Sequence, residues 1–376
     1  MDYPLEHFFE YRQSLTNETP RSLPNERGVL LFADSNNCPI QLLQTASIRR
    51  TVLTRLSAPP AGELSRKASL RPLAASVLYT LVSSDYHAFW LYSRLVNLFF
   101  PQQSRDLLPL PPAHCVRLNP QEPWAAFAVS AQPFRDKEAV YWGPFATRSD
   151  ADFFARTWND IFCLCRNRTL ALAGNGSKCT YFQMNLCPAD CVKKEQNIPY
   201  PQRLKQALEA AQSSPASLQN PLTERMKMLA AQLQFEQAQV IKKQLESLEK
   251  LQTAPYRWTT PLERLKILHI SEYRCIRFQK RPVPLYQAFV ITGQTAEKLP
   301  CFSLESAENL LQIAQTPPGR CLLEPQNLSE HISRLSVFLY KTAPPGIWLN
   351  LNKPLVPNRF KEKLQEWLEK TVSETK

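Results

Sequence analysis

Glycine is scarce in this chain, with 8 residues in 376 against 32 prolines. That balance excludes a flexible low-complexity chain and fits globular modules joined by stiff connections. No apolar run reaches the length needed to cross a bilayer, so no membrane association is expected. The start, MDYPLEHFFEYRQSL, lacks a basic leader and an apolar h-region, which predicts a cytoplasmic chain. No internal repeat is visible, which argues against a solenoid or array.

Enough apolar residues are present to build real cores, 44% of the chain, and the length suggests two or three domains. The net charge of +12 favours an anionic partner, nucleic acid first, although a solvated basic surface gives the same count. Ten cysteines stand out. In a cytoplasmic chain disulfides are disfavoured, and clustered cysteines more often bind metal. Five of the ten lie between Cys163 and Cys191, while Cys38, Cys115, Cys275, Cys301 and Cys321 are scattered and read as structural.

The pattern predicts a multidomain α+β protein. Residues 1–26 read as a polar lead-in. In residues 27–110, GVLLFAD and PIQLLQ read as strands, and SIRRTVLTRL as a helix with Ile48, Val52 and Leu56 on one face. ASVLYTLVSS reads as a further strand and DYHAFWLYSRLVNLFF as a second helix, giving a small α/β unit. After the proline-rich break LLPLPPAH, residues 111–192 hold strands closing on YWGPF. A helix follows, opened by Ser149, with Phe154, Trp158, Ile161 and Phe162 as its stripe, and it leads into the cysteines. Residues 193–219 are polar and read as a linker. In residues 220–251, Asn220 and Pro221 are expected as N-cap and first helical residue. Two apolar stripes, Leu222, Met226, Leu229, Leu233 and Ala238, Ile241, Leu245, Leu248, predict a helical hairpin. Residues 252–376 read as a C-terminal α/β region, with KILHIS and YQAFVITG as strands and a closing amphipathic helix from Pro357 to about Val372.

Cys179, Cys187 and Cys191 have the spacing C-x7-C-x3-C, with Cys163 and Cys165 upstream. Four thiolates converging from a helix end and a compact loop can hold a tetrahedral metal or an iron–sulfur cluster, and soft donors favour those two. Buried reduced thiols packed as small hydrophobes are the competing reading. Residues 156–205 carry eight cations (Arg156, Arg166, Arg168, Lys178, Lys193, Lys194, Arg203 and Lys205) against Asp160, Asp190 and Glu195, a candidate phosphate-contacting surface.

YWGPF at 141–145, the helix after it, CPADC within C-x7-C-x3-C, and LQFEQAQVIKKQLESL occur in the order found in the UvrC family of excinucleases. Over about residues 27–250 the chain resembles that family. The resemblance implies a GIY-YIG-like domain at 27–110, a cysteine-rich segment, and a UVR hairpin that pairs with a UvrB-like partner through Met226, Leu233, Phe235, Glu236, Ile241 and Leu245. Phe235 is expected at the turn, packed between the two helices. DNA is the other implied partner, with Arg49, Arg50, Arg55, Arg166, Arg168, Lys178, Lys193 and Lys194 as candidate contacts.

Two departures from the family are visible. The region after residue 250 is short for the family's second nuclease and helix–hairpin–helix pair, so the 5′-incising machinery is expected to be absent. The first nuclease is eroded. Leu30 takes a tyrosine position, Gln41-Leu42-Leu43 replaces the second motif, and Gln44, Thr51 and Tyr92 take the lysine, arginine and glutamate positions. A neutral side chain cannot replace a metal-binding carboxylate. A non-catalytic or regulatory repair factor is the leading expectation, with no catalytic residues. The alternatives are a structure-specific endonuclease like the shortened homologue Cho, and a protein-binding adaptor with a structural metal. For the cysteines the resemblance implies one [4Fe–4S] cluster, with zinc as the alternative, held by Cys165, Cys179, Cys187 and Cys191. The family's first cysteine aligns near Asn167, so Cys165 serves from two residues earlier and Cys163 competes. On a helix, residues two apart point about 200° apart, and Cys165 continues the Phe154, Trp158, Ile161 stripe.

Overall fold

The computed structural model describes residues 5–10, 23–56, 69–184, 187–188, 190–192, 199–278, 281–316, 325–341, 346–352 and 355–374. Among the described residues the architecture is α+β, with three four-stranded sheets. No helix among the described residues is long and apolar enough to cross a membrane.

The N-terminal module comprises β1 (His7–Glu10), β2 (Gly28–Ala33), β3 (Pro39–Thr45), α1 (Ile48–Leu56), β4 (Ser76–Leu81) and α2 (Asp85–Phe99). Its sheet runs β1-β4-β2-β3, antiparallel throughout. The strand β2 is buried along its whole length because both of its faces are covered. Val29, Leu31 and Ala33 pack with Leu91 and Leu95 of α2, while Leu30 and Phe32 pack with Ile48 and Val52 of α1. Gly28 is required by that packing: a Cβ there would lie 2.4 Å from Ile48 Cδ1 and 2.7 Å from the Thr80 carbonyl. The lead-in needs correction, since it supplies β1 as the strand beyond β4. Its four residues are too few to show a period.

The short helix α3 (Ser104–Leu107) leads to the middle module, where β5 (Cys115–Leu118), β6 (Ala128–Ser130) and β7 (Val140–Gly143) precede α4 (Arg148–Ile161). Thr147, not Ser149, caps α4; its side-chain oxygen accepts the Asp150 N–H at 3.1 Å. Phe154 and Trp158 of α4 meet Phe127, Trp142 and Phe145 in the core. The cysteine-rich stretch forms α5 (Arg168–Leu172) and α6 (Thr180–Gln183). Part of the expected linker 193–219 is helical instead, as α7 (Tyr200–Gln212). Its Leu204, Ala207 and Ala211 are buried, but two of the three are alanines among glutamines, so the stripe is faint in sequence. Trp142 Nε1 donates to the Ala211 carbonyl at 2.9 Å, fixing α7 on the sheet.

The hairpin is α8 (Gln219–Ala231) and α9 (Phe235–Lys250). The helix α8 starts one residue before Asn220, because a 3-10 turn over Pro215–Leu218 runs straight into it. Leu233 has φ +59, and the Gln234 N–H donates back to the Leu229 carbonyl at 2.9 Å, which reverses the chain. Leu222, Leu229, Ala238, Ile241 and Leu248 join the same core as Trp158, so the hairpin lies against α4.

The strand β8 (Thr260–Pro261) returns to pair with β7. The C-terminal module has β9 (Lys266–Phe278), β10 (Arg281–Thr292), β11 (Ala296–Lys298), α10 (Ala307–Gln315), α11 (Pro325–Leu339), β12 (Ile347–Asn350) and α12 (Pro357–Glu374). Its antiparallel sheet runs β11-β10-β9-β12. One face carries α10 and α12 through Leu310, Leu311, Phe360 and Leu364. The other takes α11 and the Tyr86 ring of α2, which meets His269, Phe289, Phe338 and Trp348 edge-on at 5.2–5.4 Å. This aromatic box joins the N- and C-terminal modules.

Candidate metal centre and nucleic-acid surface

The cysteine loop begins where α4 stops. The helix ends at Ile161, Cys163 adopts φ +48, and the Leu164 N–H donates back to the Asn159 carbonyl at 2.8 Å. Neither Cys163 nor Cys165 is therefore helical, and the angular argument for choosing between them does not apply. Their surroundings differ nonetheless. Burial pushes the Cys163 thiol up, and the charges acting on it are Arg203, Arg166, Arg225 and Asp160. Burial also pushes Cys165 up, and the thiols of Cys191, Cys179 and Cys187 push it the same way. Cys191 is raised by burial first, then by Cys187, Cys179 and Asp190. The thiols of Cys179, Cys187 and Cys191 thus act on Cys165, while Cys163 lines a cleft together with Cys187.

Gly176 makes room for this arrangement, since a Cβ there would lie 2.5 Å from Cys191 Sγ. In kind, the donor set suits a soft metal, since a cation placed among thiolates offsets their mutual repulsion. Among the described residues, no group of three or more His, Cys, Asp or Glu side chains is drawn into a metal-holding geometry.

Two side chains of α7 pin the loop, and neither stands out in the sequence for this role. The Tyr200 hydroxyl accepts the Cys165 N–H at 3.0 Å and donates to the Ala125 carbonyl at 2.6 Å. Arg203 forks onto Asp190, at 3.1 and 2.6 Å, and donates to the carbonyls of Phe162 and Cys163. The side chains of Arg203 and Asp190 are only 10% and 12% exposed. Arg203 is therefore a buried strut rather than a surface cation. The faint apolar stripe of α7 is the sequence signal that could have found it.

The expected phosphate contacts are scattered. Arg166 pairs with Asp160 at 2.5 Å and lies over the Tyr181 ring at 5.0 Å. Arg168 pairs with Glu122 and donates to the Pro123 carbonyl at 3.0 Å, which commits it to the fold. Lys178 is exposed, and Lys193 and Lys194 lie outside the described residues. Arg49, Arg50 and Arg55 stand on α1 of another module; Arg49 donates to the Leu23 carbonyl at 2.7 Å, Arg50 is exposed and Arg55 is half-buried.

The positions expected to be eroded are distributed over β2, β3, α1 and α2 of the N-terminal module. Leu30 is fully buried opposite Leu43 and Tyr79, within the cluster holding Ile48 and Val52. Gln44 is exposed, and Thr51 shares a 2.6 Å hydrogen bond with Thr45. Tyr92 packs into the cluster on the opposite side of β2. Apolar side chains fill the space around Leu30, and Tyr92 does not join Leu30 and Thr51.

At the hairpin, Ile241 is buried, and Met226 and Leu245 pack against the core. Glu236 is exposed. Leu233 and Phe235 are 74% and 62% exposed, so Phe235 does not pack between the helices. It opens α9 just after the turn, while the inward position near the tip is taken by the small Ala238.

Residues 115–210 match the family model of the UvrC/Cho excinuclease middle domain. The UvrABC system protein C of Nautilia profundicola is 24% identical over 362 residues, covering 95% of this chain and 54% of that protein. The protein of the same name from Wolinella succinogenes is 24% identical over 259 residues, 68% of this chain and 42% of its own. That of Syntrophus aciditrophicus is 27% identical over 172 residues, 46% of this chain and 28% of its own. The chain thus spans about half the length, or less, of the curated relatives it matches. No solved structure matches it.

Proposed function

We propose that this chain, which belongs to the UvrC family of excision-repair proteins, is a non-catalytic or regulatory factor that binds DNA and a UvrB-like partner. The observation that carries the reading is the apolar packing around Leu30, where a nuclease needs polar groups to hold water, phosphate and a metal ion. The eroded GIY-YIG-like module keeps a folded core without those groups. The exposed Leu233 and Phe235 at the hairpin tip are the apolar side chains offered to UvrB.

Cys165, Cys179, Cys187 and Cys191 are the residues that would hold one [4Fe–4S] cluster, or zinc in its place. Its contribution would be a rigid cross-link between the chain leaving α4 and the CPADC turn. Tyr200 and Arg203 orient the two ends of that loop whether or not the centre is filled.

DNA affinity measured against salt concentration tests the binding half of the proposal. The expected result is affinity that falls steeply and log-linearly with salt, as released counterions require. Absence of DNA binding at low salt would leave only the adaptor role.

A further inference from the structure

A cleft of about 680 Å³ opens between α4, α9 and the cysteine loop. Arg156 and Asp160 line it from α4, Cys163 and Arg166 from the chain that follows, Cys187 from the CPADC turn, and Lys243 from α9. Three of these side chains are cationic and one is a carboxylate, and Asp160 is already paired with Arg166. Arg156 and Lys243 are exposed on facing helices, and neither forms an ion pair with a carboxylate among the described residues. Lys250 adds a further cation 4.2 Å above the ring of Phe153, itself a wall of the cleft. Gln244 ties the walls together by donating to the Asp160 carbonyl at 3.0 Å.

We infer that this cleft seats the phosphodiester backbone of nucleic acid, with Arg156 and Lys243 as the principal phosphate contacts. The inference rests on the DNA-binding reading above and replaces its residues. Arg168 and Arg203 are tied down by acidic partners, whereas Arg156, whose Nε donates to the Asp152 carbonyl one turn back at 3.3 Å, and Lys243 are exposed along the cleft. An open trough with cations on both walls suits a polyanion that passes through, rather than a small anion that must be enclosed. Lys243 also shows how one hairpin serves two partners. It stands eight residues beyond Phe235, about 12 Å along α9, so backbone binding in the cleft leaves the tip free.

The test is the double variant Arg156→Glu, Lys243→Glu in the full chain, with a short fluorescein-labelled duplex and anisotropy read across a salt series. Both side chains are exposed, so the melting temperature is expected to stay at the wild-type value. The expected result is at least tenfold weaker binding and a log–log salt slope shallower by about 2, near 0.9 for each lost phosphate contact. Arg156→Lys with native Lys243 keeps the charge and is expected to bind within about threefold of wild type. Retention of UvrB is expected to be unchanged in the double variant. If the wild type binds DNA and the double variant matches it in affinity and slope, the cleft assignment is overturned while the DNA-binding reading stands. If the wild type does not bind at low salt, both fail. Tighter binding of polyglutamate than of DNA, lost in the double variant, would overturn the inference by giving the cleft to an acidic protein.

Discussion

The hydroxyl of Tyr200 accepts a hydrogen bond from the backbone N–H of Cys165 at 3.0 Å, so a helix expected as linker holds the first cysteine of the candidate centre in place. The same hydroxyl donates to Ala125, and both partners lose it together in Tyr200→Phe. That change is expected to destabilise the protein by about 1–3 kcal/mol, the cost of leaving buried polar groups unmade. Arg203→Leu strands the largely buried Asp190 and is expected to cost about 3 kcal/mol or more. Urea denaturation of the two variants checks both values. Midpoints within experimental error of wild type would show that α7 does not support the loop.

Replacing Cys165, Cys179, Cys187 or Cys191 with serine is expected to abolish stoichiometric loading of anaerobically purified protein, measured as iron, zinc and acid-labile sulfide. Cys163→Ser is expected to load normally, because it is Cys165 on which the thiols of Cys191, Cys179 and Cys187 act. Zinc without sulfide would refute the iron–sulfur choice, and a wild type free of metal would refute the centre.

At the hairpin, Phe235→Asp is expected to reduce UvrB retention at least tenfold in a pull-down without changing the melting temperature, since the exposed ring holds no part of the core together. Ile241→Ala is expected to cost about 2–4 kcal/mol of stability, since Ile241 belongs to the core shared with α4. Equal retention by wild type and Phe235→Asp would remove the tip from the proposed interface.

Three buried histidines set an acid limit. Burial holds His87 and His269 down to about 3 and His331 to about 4. An unfolded histidine titrates near 6.5, so below that pH the unfolded chain takes up protons that the native state refuses. Stability is therefore fully present above about pH 6.5 and falls toward pH 4, by about 1.4 kcal/mol per pH unit for each histidine. Urea midpoints between about pH 7.5 and 5 are expected to drop accordingly, and His331→Gln is expected to flatten part of the slope. A pH-independent midpoint would contradict this.

Much of the fold was legible because its signals are strong. The uninterrupted GVLLFA run reads as a strand, which the fold covers on both faces, and Phe154 and Trp158 mark the inner face of α4. The hairpin shows the same clarity in its leucine and isoleucine spacing. The candidate site was less legible at its edges. No glycine or proline announces the end of α4; the reversal is made at Cys163, in a conformation that sequence does not advertise. In α7, alanines among glutamines hide a buried face. Charge counting treats Arg203 and Lys243 alike, yet one is buried against Asp190 and the other lines an open cleft. Only tertiary packing separates a strut from a contact.

Incision measured alongside binding is the most direct test of the account. A lesion-containing duplex is incubated with this protein and UvrB in Mg²⁺ or Mn²⁺, and strand cleavage is followed with complex formation. The account predicts a retained complex and intact strands, because Leu30, Gln44, Thr51 and Tyr92 offer no metal-binding carboxylate and no phosphate-binding arginine. Metal-dependent cleavage that disappears on mutating Arg49 or Arg55 would contradict it and return the chain to the nucleases.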